Sequence, residues 1–385
     1  MIPYSTQDIN QSDIDAVIAV LKSDFLTQGP QVPLFEQNVY NYCGAQYGVA
    51  VNSATSALHI ACLALGLSKG DWLWTSPNSF VASANCGLYC GAQVDFVDIN
   101  PQTYNLCPDA LEQKLIRAKV ENKLPKIVIP VHFAGQSCGM QRIHKLSKEF
   151  GFNIIEDASH AIGGKYLDEP IGGCQYSDIT VFSFHPVKII TTAEGGLATT
   201  NQLELADKMQ MFRAHGVTRD PNLMTKKTEG GWYYQQIELG YNYRMNEIQA
   251  ALGVIQMERL DKFVINRQSL NQRYHELLKD LPLTLPVQSS ESYSALHLYP
   301  IQLKLELISK THDQVFNELR QSGLGVNLHY IPIHMQPYYQ KMGFKKGDFP
   351  IAEAYYSRAI SIPIYQSLTF DLQDEVVAIL KRLLI

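Results

Sequence analysis

Hydrophobic residues recur along this chain with two different periods. Between about residues 47 and 200, short runs rich in β-branched and aromatic residues alternate with stretches of helical period. This alternation is typical of βαβ units, which build a mostly parallel sheet flanked by helices. The predicted strands are YGVAV (47–51), DWLWT (71–75), AQVDFVDI (92–99), KIVIPV (126–131), FNIIE (152–156) and DITVFSF (178–184).

Helical stripes occur where apolar residues repeat every three or four positions. They predict helices opening near Ser12, after the loop NSAT, near Asn246, and at the end of the chain. The four stripes are Ile14-Val17-Ile18-Leu21, Leu58-Ala61-Cys62-Leu65, Met245-Ile248-Leu252-Ile255 and Leu372-Val376-Ile379-Leu383.

The region after about residue 280 has a different organisation. It combines a strand-like HLYPIQLKL with a helix from Thr311 to Gly323 and the final helix, which is typical of an α+β lobe. A chain of 385 residues also exceeds what one core supports. We therefore predict an α/β protein with a large domain over 1–260 and a smaller C-terminal α+β domain over 261–385.

Composition excludes several classes of function. The net charge of −5 gives no basic field for nucleic acid or for an anionic membrane surface. The first residues lack the basic end and apolar run of a signal peptide, and no stretch is long and apolar enough to span a membrane. Seven cysteines without a CxxC pair or metal-site spacing read as reduced thiols. We expect a cytoplasmic protein without a metal site.

Two side chains at predicted strand ends carry candidate chemistry. Lys188, in FSFHPVKIITTAEGG, follows an apolar strand and precedes Gly195 and Gly196, so burial would leave its amine unprotonated and nucleophilic. Asp157, in FNIIEDASHAIGG, ends another apolar strand, and His160 follows three residues later. Each residue also has a plainer explanation. Lys188 would then be a solvated loop lysine, Asp157 a helix-capping acid and His160 a structural histidine.

Two further features suit a flat anionic ligand. Ser53-Ala54-Thr55 opens a predicted helix, where free N–H groups and the helix dipole favour a phosphate. Phe80 follows another strand and offers a ring for stacking, although a core phenylalanine is the simpler reading. An amine, an acid, a platform and an anion cradle are together what pyridoxal phosphate requires of a protein.

The order of these motifs resembles that of the DegT-type sugar aminotransferases, fold-type-I pyridoxal-phosphate enzymes, over essentially the whole chain. The segments that carry the resemblance are NSATSALHIACLALG, TSPNSFVASANC, IIEDASHAIGG, SDITVFSFHPVK with TTAEGG, GYNYRMNEIQAALG and LHYIPIHMQPYY. Within the family, the blocks IPYSTQDI, FSFHPVKIITTAEGG and HYIPIHMQPYYQ are most similar to members that act in pseudaminic acid biosynthesis.

The resemblance implies roles for individual residues. Lys188 would be the Schiff-base lysine and proton shuttle, Asp157 the partner of the ring nitrogen and Phe80 the stacking residue. His160 would contact the cofactor's phenolic oxygen or pack beside the ring. The remaining implied contacts are to the cofactor phosphate (Ala54, Thr55 and Ser183), to the phosphate of a neighbouring subunit's cofactor (Asn242), and to the sugar or nucleotide (His185, His329 and Tyr330).

The implied reaction moves an amino group from L-glutamate to carbon 4 of a UDP-linked 4-keto-6-deoxy-N-acetylhexosamine, in a homodimer with shared active sites. Bacillosamine-type 4-amination and 3-amination of dTDP sugars stay open, because pocket shape determines which sugar is accepted. Sugar dehydratases of the family have histidine in place of Lys188, and a sugar-sensing regulator would have eroded cofactor positions. Neither pattern matches this sequence.

Overall fold

Thirteen α-helices and seventeen β-strands form along residues 1–385, all of which the computed structural model describes. The helices are α1 (Gln11–Leu21), α2 (Gln31–Cys43), α3 (Ala54–Ala64), α4 (Ala82–Tyr89), α5 (Pro108–Glu121), α6 (Met140–Phe150), α7 (Leu203–Arg213), α8 (Glu247–Met257), α9 (Leu260–Leu278), α10 (His312–Gln321), α11 (Pro337–Gln340), α12 (Pro350–Tyr356) and α13 (Phe370–Leu384). Short 3-10 helices cover Phe133–Gly135, Leu305–Leu307 and Ile333–Met335. No helix has the length and apolar character needed to cross a membrane.

The strands fall into one large sheet and four small ones. They are β1 (Ile2–Pro3), β2 (Tyr47–Val51), β3 (Trp72–Thr75), β4 (Gln93–Phe96), β5 (Ile127–Ile129), β6 (Asn153–Asp157), β7 (Lys165–Tyr166), β8 (Glu169–Pro170), β9 (Ile179–Ser183), β10 (Gly196–Thr200), β11 (Val217–Thr218), β12 (Gln235–Gln236), β13 (Leu283–Thr284), β14 (Ser292–Tyr293), β15 (Tyr299–Leu303), β16 (Leu324–Gly325) and β17 (Ala359–Ile362).

The large sheet has the strand order β2-β10-β9-β6-β5-β3-β4. All of its pairs are parallel except those of β10, which runs antiparallel to β2 and β9. Every residue of β9 and β10 is buried, as expected for strands covered on both faces. The mostly parallel α/β fold and all six strands predicted from the sequence are confirmed.

The topology brings several strand ends to one edge of this sheet. The neighbouring strands β6 and β9 are parallel, so their last residues, Asp157 and Ser183, lie at the same edge of the sheet. Strand β2 also ends at this edge, where the chain enters the loop before α3. In open α/β sheets this carboxyl edge is where ligands bind.

A second hydrophobic core lies in the C-terminal part of the chain. There α9, α10 and α13 pack around the antiparallel sheet β13-β15-β17, and β1 at the N-terminus pairs with β16 beside it. The predicted boundary at residue 260 falls between α8 and α9. Later residues such as Ile333, Tyr339 and Tyr355 belong to the core of the large sheet, so the two parts interlock.

Helix α1 forms where the sequence predicts it, but its apolar stripe does not face the core. Ile14, Ile18 and Leu21 are 44%, 39% and 56% exposed, whereas Asp13 is buried. Arg259 forms an ion pair with Asp13, and Gln256 donates a 3.1 Å hydrogen bond to the same carboxylate. These polar contacts hold the acidic face of α1 against α8, and the apolar stripe is left at the surface.

Candidate active site

A cavity of about 560 Å³ opens at the carboxyl edge of the large sheet. It gathers nearly all the side chains that the sequence singles out. The predicted residues that line it are Ala54, Thr55, Phe80, Asp157, His160, Ser183, His185, Lys188, His329 and Tyr330. Four loops of the large sheet, which follow β2, β3, β6 and β9, thus meet the C-terminal part of the chain at one site, although the residues are up to 276 positions apart (54 to 330).

Lys188 lies in the loop between β9 and β10. Burial lowers the pKa of its amine to about 8, and the negative charge of Asp157 partly opposes this effect. The loop is fixed from two sides: the Lys188 N–H donates to the His185 carbonyl at 2.9 Å, and the Ser5 hydroxyl donates to the Val187 carbonyl at 2.7 Å. The neutral, nucleophilic fraction of the amine near neutral pH is therefore far larger than that of an ordinary lysine.

Asp157 ends β6, and only 4% of it is exposed. The Ser83 hydroxyl donates to one carboxylate oxygen at 2.6 Å, and the Ser159 N–H donates to the other at 3.1 Å. Ser83 in turn lies 2.8 Å from the Ser79 hydroxyl. These contacts orient a buried carboxylate toward the cavity that Lys188 also lines.

The start of α3 forms an anion cradle. Ser53 caps the helix by accepting the Ser56 N–H, while the N–H groups of Ala54 and Thr55 lie in the first turn and have no helical acceptor. Gly196 of β10 passes so close that a Cβ there would lie 2.5 Å from the Ser53 carbonyl oxygen and nearer still to the Ala54 nitrogen. Ser183 pairs with Gly196 in register, so its side chain belongs to the same corner of the cavity.

Phe80 is 60% exposed at the wall of this cavity. Its nearest aromatic neighbour is the ring of Tyr330, at 6.4 Å and tilted by 52°, so one face has no stacked partner within the chain. A largely exposed aromatic ring is unusual in the wall of a cavity. It provides a surface on which a flat heteroaromatic ligand stacks.

Histidines form a further part of the cavity wall. The His329 imidazole lies 2.9 Å from the Ser361 hydroxyl, and burial, aided by the positive charge of Lys188, lowers its pKa to about 3. Both nitrogens of His160 have partners within the chain: the Ala134 N–H at 3.3 Å and the Tyr330 hydroxyl at 3.1 Å. Burial also lowers the pKa of His160 well below its usual range, so it is neutral.

Sequence reasoning missed three residues of this wall. Tyr4, His297 and Asn327 also line the cavity. The ring of His297 lies 4.5 Å from that of His160, and its buried Nδ1 has no hydrogen-bond partner. His297 stands in the segment HLYPIQLKL, whose apolar pattern indicates a strand and carries no signal of a site.

Asn242 lies outside this cavity. It is exposed and forms an isolated antiparallel bridge with Ala214. Its expected contact with the cofactor of a second subunit therefore stays a prediction.

The cavity residues fit pyridoxal phosphate. Lys188 supplies an amine of lowered pKa, Asp157 a fixed carboxylate, Phe80 a free aromatic face, and the start of α3 unpaired N–H groups beside a glycine that leaves room for them. Each requirement of the cofactor has a matching group in this single cavity.

Comparison with known proteins agrees with this geometry. Residues 7–381 match the profile of the DegT/DnrJ/EryC1/StrS aminotransferase family. The spore coat polysaccharide biosynthesis protein SpsC of Bacillus subtilis is 37% identical over 379 residues, covering 98% of this chain and 95% of SpsC. A Campylobacter jejuni UDP-4-amino-4,6-dideoxy-N-acetyl-beta-L-altrosamine transaminase is 35% identical over 389 residues, covering 99% and 98% of the two chains.

A solved structure shares the fold throughout. PseC of Helicobacter pylori, an aminotransferase involved in the biosynthesis of pseudoaminic acid, superposes with a TM-score of 0.90 at 31% identity, covering 100% of this chain and 99% of PseC. The chain therefore belongs to the DegT/DnrJ/EryC1/StrS aminotransferase family, and it is a transaminase with pyridoxal 5′-phosphate as its cofactor.

Proposed function

We propose that this enzyme transfers the amino group of L-glutamate to carbon 4 of a UDP-linked 4-keto-6-deoxy-N-acetylhexosamine, a step in pseudaminic acid biosynthesis. The observation that carries the proposal is the presence in one cavity of the half-buried Lys188, whose amine has a lowered pKa, and the Asp157 carboxylate. Similarity over nearly the full length to the Campylobacter transaminase supports the choice of sugar.

The cofactor, when bound, supplies an electron sink for the negative charge that develops on the carbon next to the reacting nitrogen. Lys188 would hold the cofactor through its amine, and this amine would be free once the amino donor is bound. Its freed amine then takes the proton from the α-carbon of glutamate, as a base with a pKa near 8 is able to do at neutral pH. In the second half of the reaction the same amine returns a proton to carbon 4 of the sugar.

The surrounding residues hold the reacting groups in place. Asp157, fixed by Ser83 and Ser159, would pair with the protonated ring nitrogen and keep the ring electron-withdrawing. Ala54 and Thr55 would bind the phosphate through their N–H groups, and Ser183 would add a hydroxyl. Phe80 would cover one face of the ring.

Side chains that both donate and accept hydrogen bonds suit the recognition of a sugar. His329 and Tyr330 line the cavity wall, and His185 is exposed at the loop that carries Lys188. Neutral imidazole and phenol groups donate and accept hydrogen bonds, as hydroxyl and acetamido groups require. We assign these three residues to the sugar nucleotide.

A homodimer with shared active sites completes the proposal. Lys188 is the only lysine or arginine that lines the cavity, yet the UDP diphosphate and the two carboxylates of glutamate are anionic. Additional donors are therefore needed from outside this cavity, and a second subunit would supply them. Asn242 of each subunit is expected to reach the cofactor phosphate of the other. The exposed stripe of α1, including Ile14 and Leu21, supports burial of this surface against another chain.

The cytoplasm is the expected location, because a nucleotide-sugar substrate is available there and all seven cysteines are free thiols. A bacillosamine-type 4-aminotransferase or a 3-aminotransferase of dTDP sugars is the second candidate, since SpsC, whose name states only spore coat polysaccharide biosynthesis, is 37% identical. A sugar-sensing regulator is disfavoured because the reactive lysine and the acid are both present.

The decisive experiment measures glutamate-dependent amination of a panel of UDP- and dTDP-linked 3-keto and 4-keto sugars. We expect the UDP-linked 4-keto-6-deoxy-N-acetyl sugar to give the highest kcat/KM, and Lys188→Ala to lose at least ~10²-fold of the rate. Preference for another sugar would replace the proposed substrate. Unchanged turnover of Lys188→Ala would overturn the assignment of the base.

A further inference from the structure

A hydrogen-bonded chain in the cavity wall has a polarity that the structure determines. It runs from the Ala134 N–H to Nδ1 of His160 at 3.3 Å, and from Nε2 of His160 to the Tyr330 hydroxyl at 3.1 Å. A backbone N–H only donates, so Nδ1 of His160 accepts and carries no proton.

The single proton of His160 is therefore on Nε2. Burial keeps this imidazole neutral, and the nearby positive charge of Lys188 acts in the same direction. Nε2 consequently donates to the oxygen of Tyr330. The Tyr330 oxygen accepts this bond, and its own O–H proton has no acceptor within the chain.

The Tyr330 hydroxyl proton is free to enter the cavity. Tyr330 lines the cavity, its ring lies 6.4 Å from the stacking candidate Phe80, and the charge of Asp157 acts on it. Burial raises the pKa of Tyr330, so the phenol stays protonated through the neutral range.

The backbone conformation of Ala134 indicates that this series of hydrogen bonds has a functional role. Ala134 has a φ of 58°, in the left-handed region that residues with a Cβ adopt rarely and at a cost. This conformation aims its N–H at His160. Strain held at a cavity wall is typical of sites where orientation matters.

We propose that Tyr330 is a hydrogen-bond donor to an oxygen of the ligand bound in this cavity, and that His160 is a positioning residue that acts through Tyr330. The inference rests on the proposed transamination. It revises the sequence-based expectation that His160 itself contacts the cofactor. Two ligand oxygens have the required acceptor chemistry: the phenolic oxygen of the cofactor and an oxygen of the sugar.

The test is a double-mutant cycle with Tyr330→Phe and His160→Ala, measured with the sugar that the wild-type enzyme prefers in the panel. We expect Tyr330→Phe to lower kcat/KM about tenfold, as loss of one ligand hydrogen bond does. The double variant should be no slower than Tyr330→Phe alone, because His160 acts through the hydroxyl. His160→Gln, which keeps one acceptor and one donor, should recover most of the rate.

A readout without sugar identifies the acceptor. If it is the phenolic oxygen, Tyr330→Phe shifts the pH dependence of the bound cofactor's absorbance in the absence of any substrate. If it is a sugar oxygen, that absorbance and the glutamate half-reaction stay unchanged, and only the sugar half-reaction slows. Either result supports the donor role and distinguishes the two sources.

Two outcomes would overturn the inference. Tyr330→Phe could match wild type in every readout, or His160→Ala could multiply the defect of Tyr330→Phe, which would mean an independent role. Tyr338→Phe, at an exposed tyrosine outside the cavity, controls for the substitution itself, and thermal unfolding checks that each variant folds. Because the absorbance titration needs no sugar, failure of the proposed substrate stays separable from failure of this inference.

Discussion

Lys188 and Asp157 line the same cavity, and the carboxylate of Asp157 partly counteracts the effect of burial on the Lys188 amine. Burial dominates, and the amine has a pKa of about 8 instead of 10.5. The balance matters for function, since a fully charged lysine is not nucleophilic and a lysine of very low pKa is a weak base.

We expect the rate of cofactor capture by the apoenzyme to follow the neutral fraction of Lys188. The neutral form increases as pH rises through the pKa, so the rate should climb from pH 7, reach half its maximum near pH 8 and level off above about pH 9. Stopped-flow absorbance after mixing with pyridoxal phosphate measures this. A rate that keeps rising to pH 10.5 would indicate an ordinary, solvated amine.

Gly196 provides the space for the phosphate cradle. In Gly196→Ala the new Cβ would meet the Ser53 carbonyl at 2.5 Å, and this backbone has no flexible end that could move away. We expect cofactor affinity to fall at least ~10-fold together with a stability loss of about 1–3 kcal/mol. Cofactor titration and urea unfolding measure the two effects.

A matched control separates this clash from the general cost of replacing glycine. Gly231→Ala places the same methyl group where no atom lies within 4 Å. Cofactor binding should be unaffected in that variant. Equal losses in both variants would mean that the cradle does not depend on the close approach of β10.

Sequence pattern was sufficient for six of the seven strands of the large sheet. It missed the antiparallel strand β10, and it did not show what each helix faces. The buried strand β9 shows its nature locally, because both faces are covered and its residues are apolar throughout. The stripe of Ile14 and Ile18 predicts α1 equally well, yet the helix buries Asp13 instead, through Arg259 of a segment 246 positions away. Local periodicity contains no information about such a distant ion pair.

The residues of the site also fall into those that the sequence predicts and those that it does not. Lys188 and Asp157 stand at strand ends, where the fold class alone places them at one edge. Tyr330 and His160 are 170 positions apart, and the tautomer that links them depends on a backbone N–H that no motif reveals. His297 enters the cavity from the small lobe, whose packing the sequence leaves undetermined.

Cys90 should be the most reactive thiol of the chain. The neighbouring Cys62 thiol and His59 lower the pKa of Cys90 in spite of burial, so its thiolate forms more readily than that of an ordinary cysteine. We expect iodoacetamide to modify Cys90 first, and Cys90→Ser to abolish the fast phase seen by mass spectrometry. Cys174 is also half-buried, but burial raises its pKa to about 11, which makes it a slow internal reference. Faster labelling of Cys174 would contradict the prediction.

Arg267 is fully buried and has no carboxylate partner. Its guanidinium donates to the carbonyls of Leu296 and Ile364 at 3.0 Å each, to that of His297 at 3.3 Å, and to the Gln366 side chain at 2.9 Å. It thereby ties α9 to the segment that carries His297 into the cavity. In Arg267→Met these buried acceptors would lose their donor.

Two opposing effects decide the outcome of Arg267→Met. Removing a buried charge relieves its desolvation cost, but several carbonyls left without partners cost about 1–3 kcal/mol each. Because three carbonyls are involved, we expect the loss of their hydrogen bonds to outweigh the relief of desolvation. The free energy of unfolding in urea should then fall by about 3 kcal/mol, and cofactor binding should weaken as His297 shifts. Arg267→Lys keeps the charge but reaches fewer acceptors, so its free energy of unfolding should lie between those of the wild type and Arg267→Met. A methionine variant as stable as wild type would mean that the buried charge costs as much as its hydrogen bonds contribute.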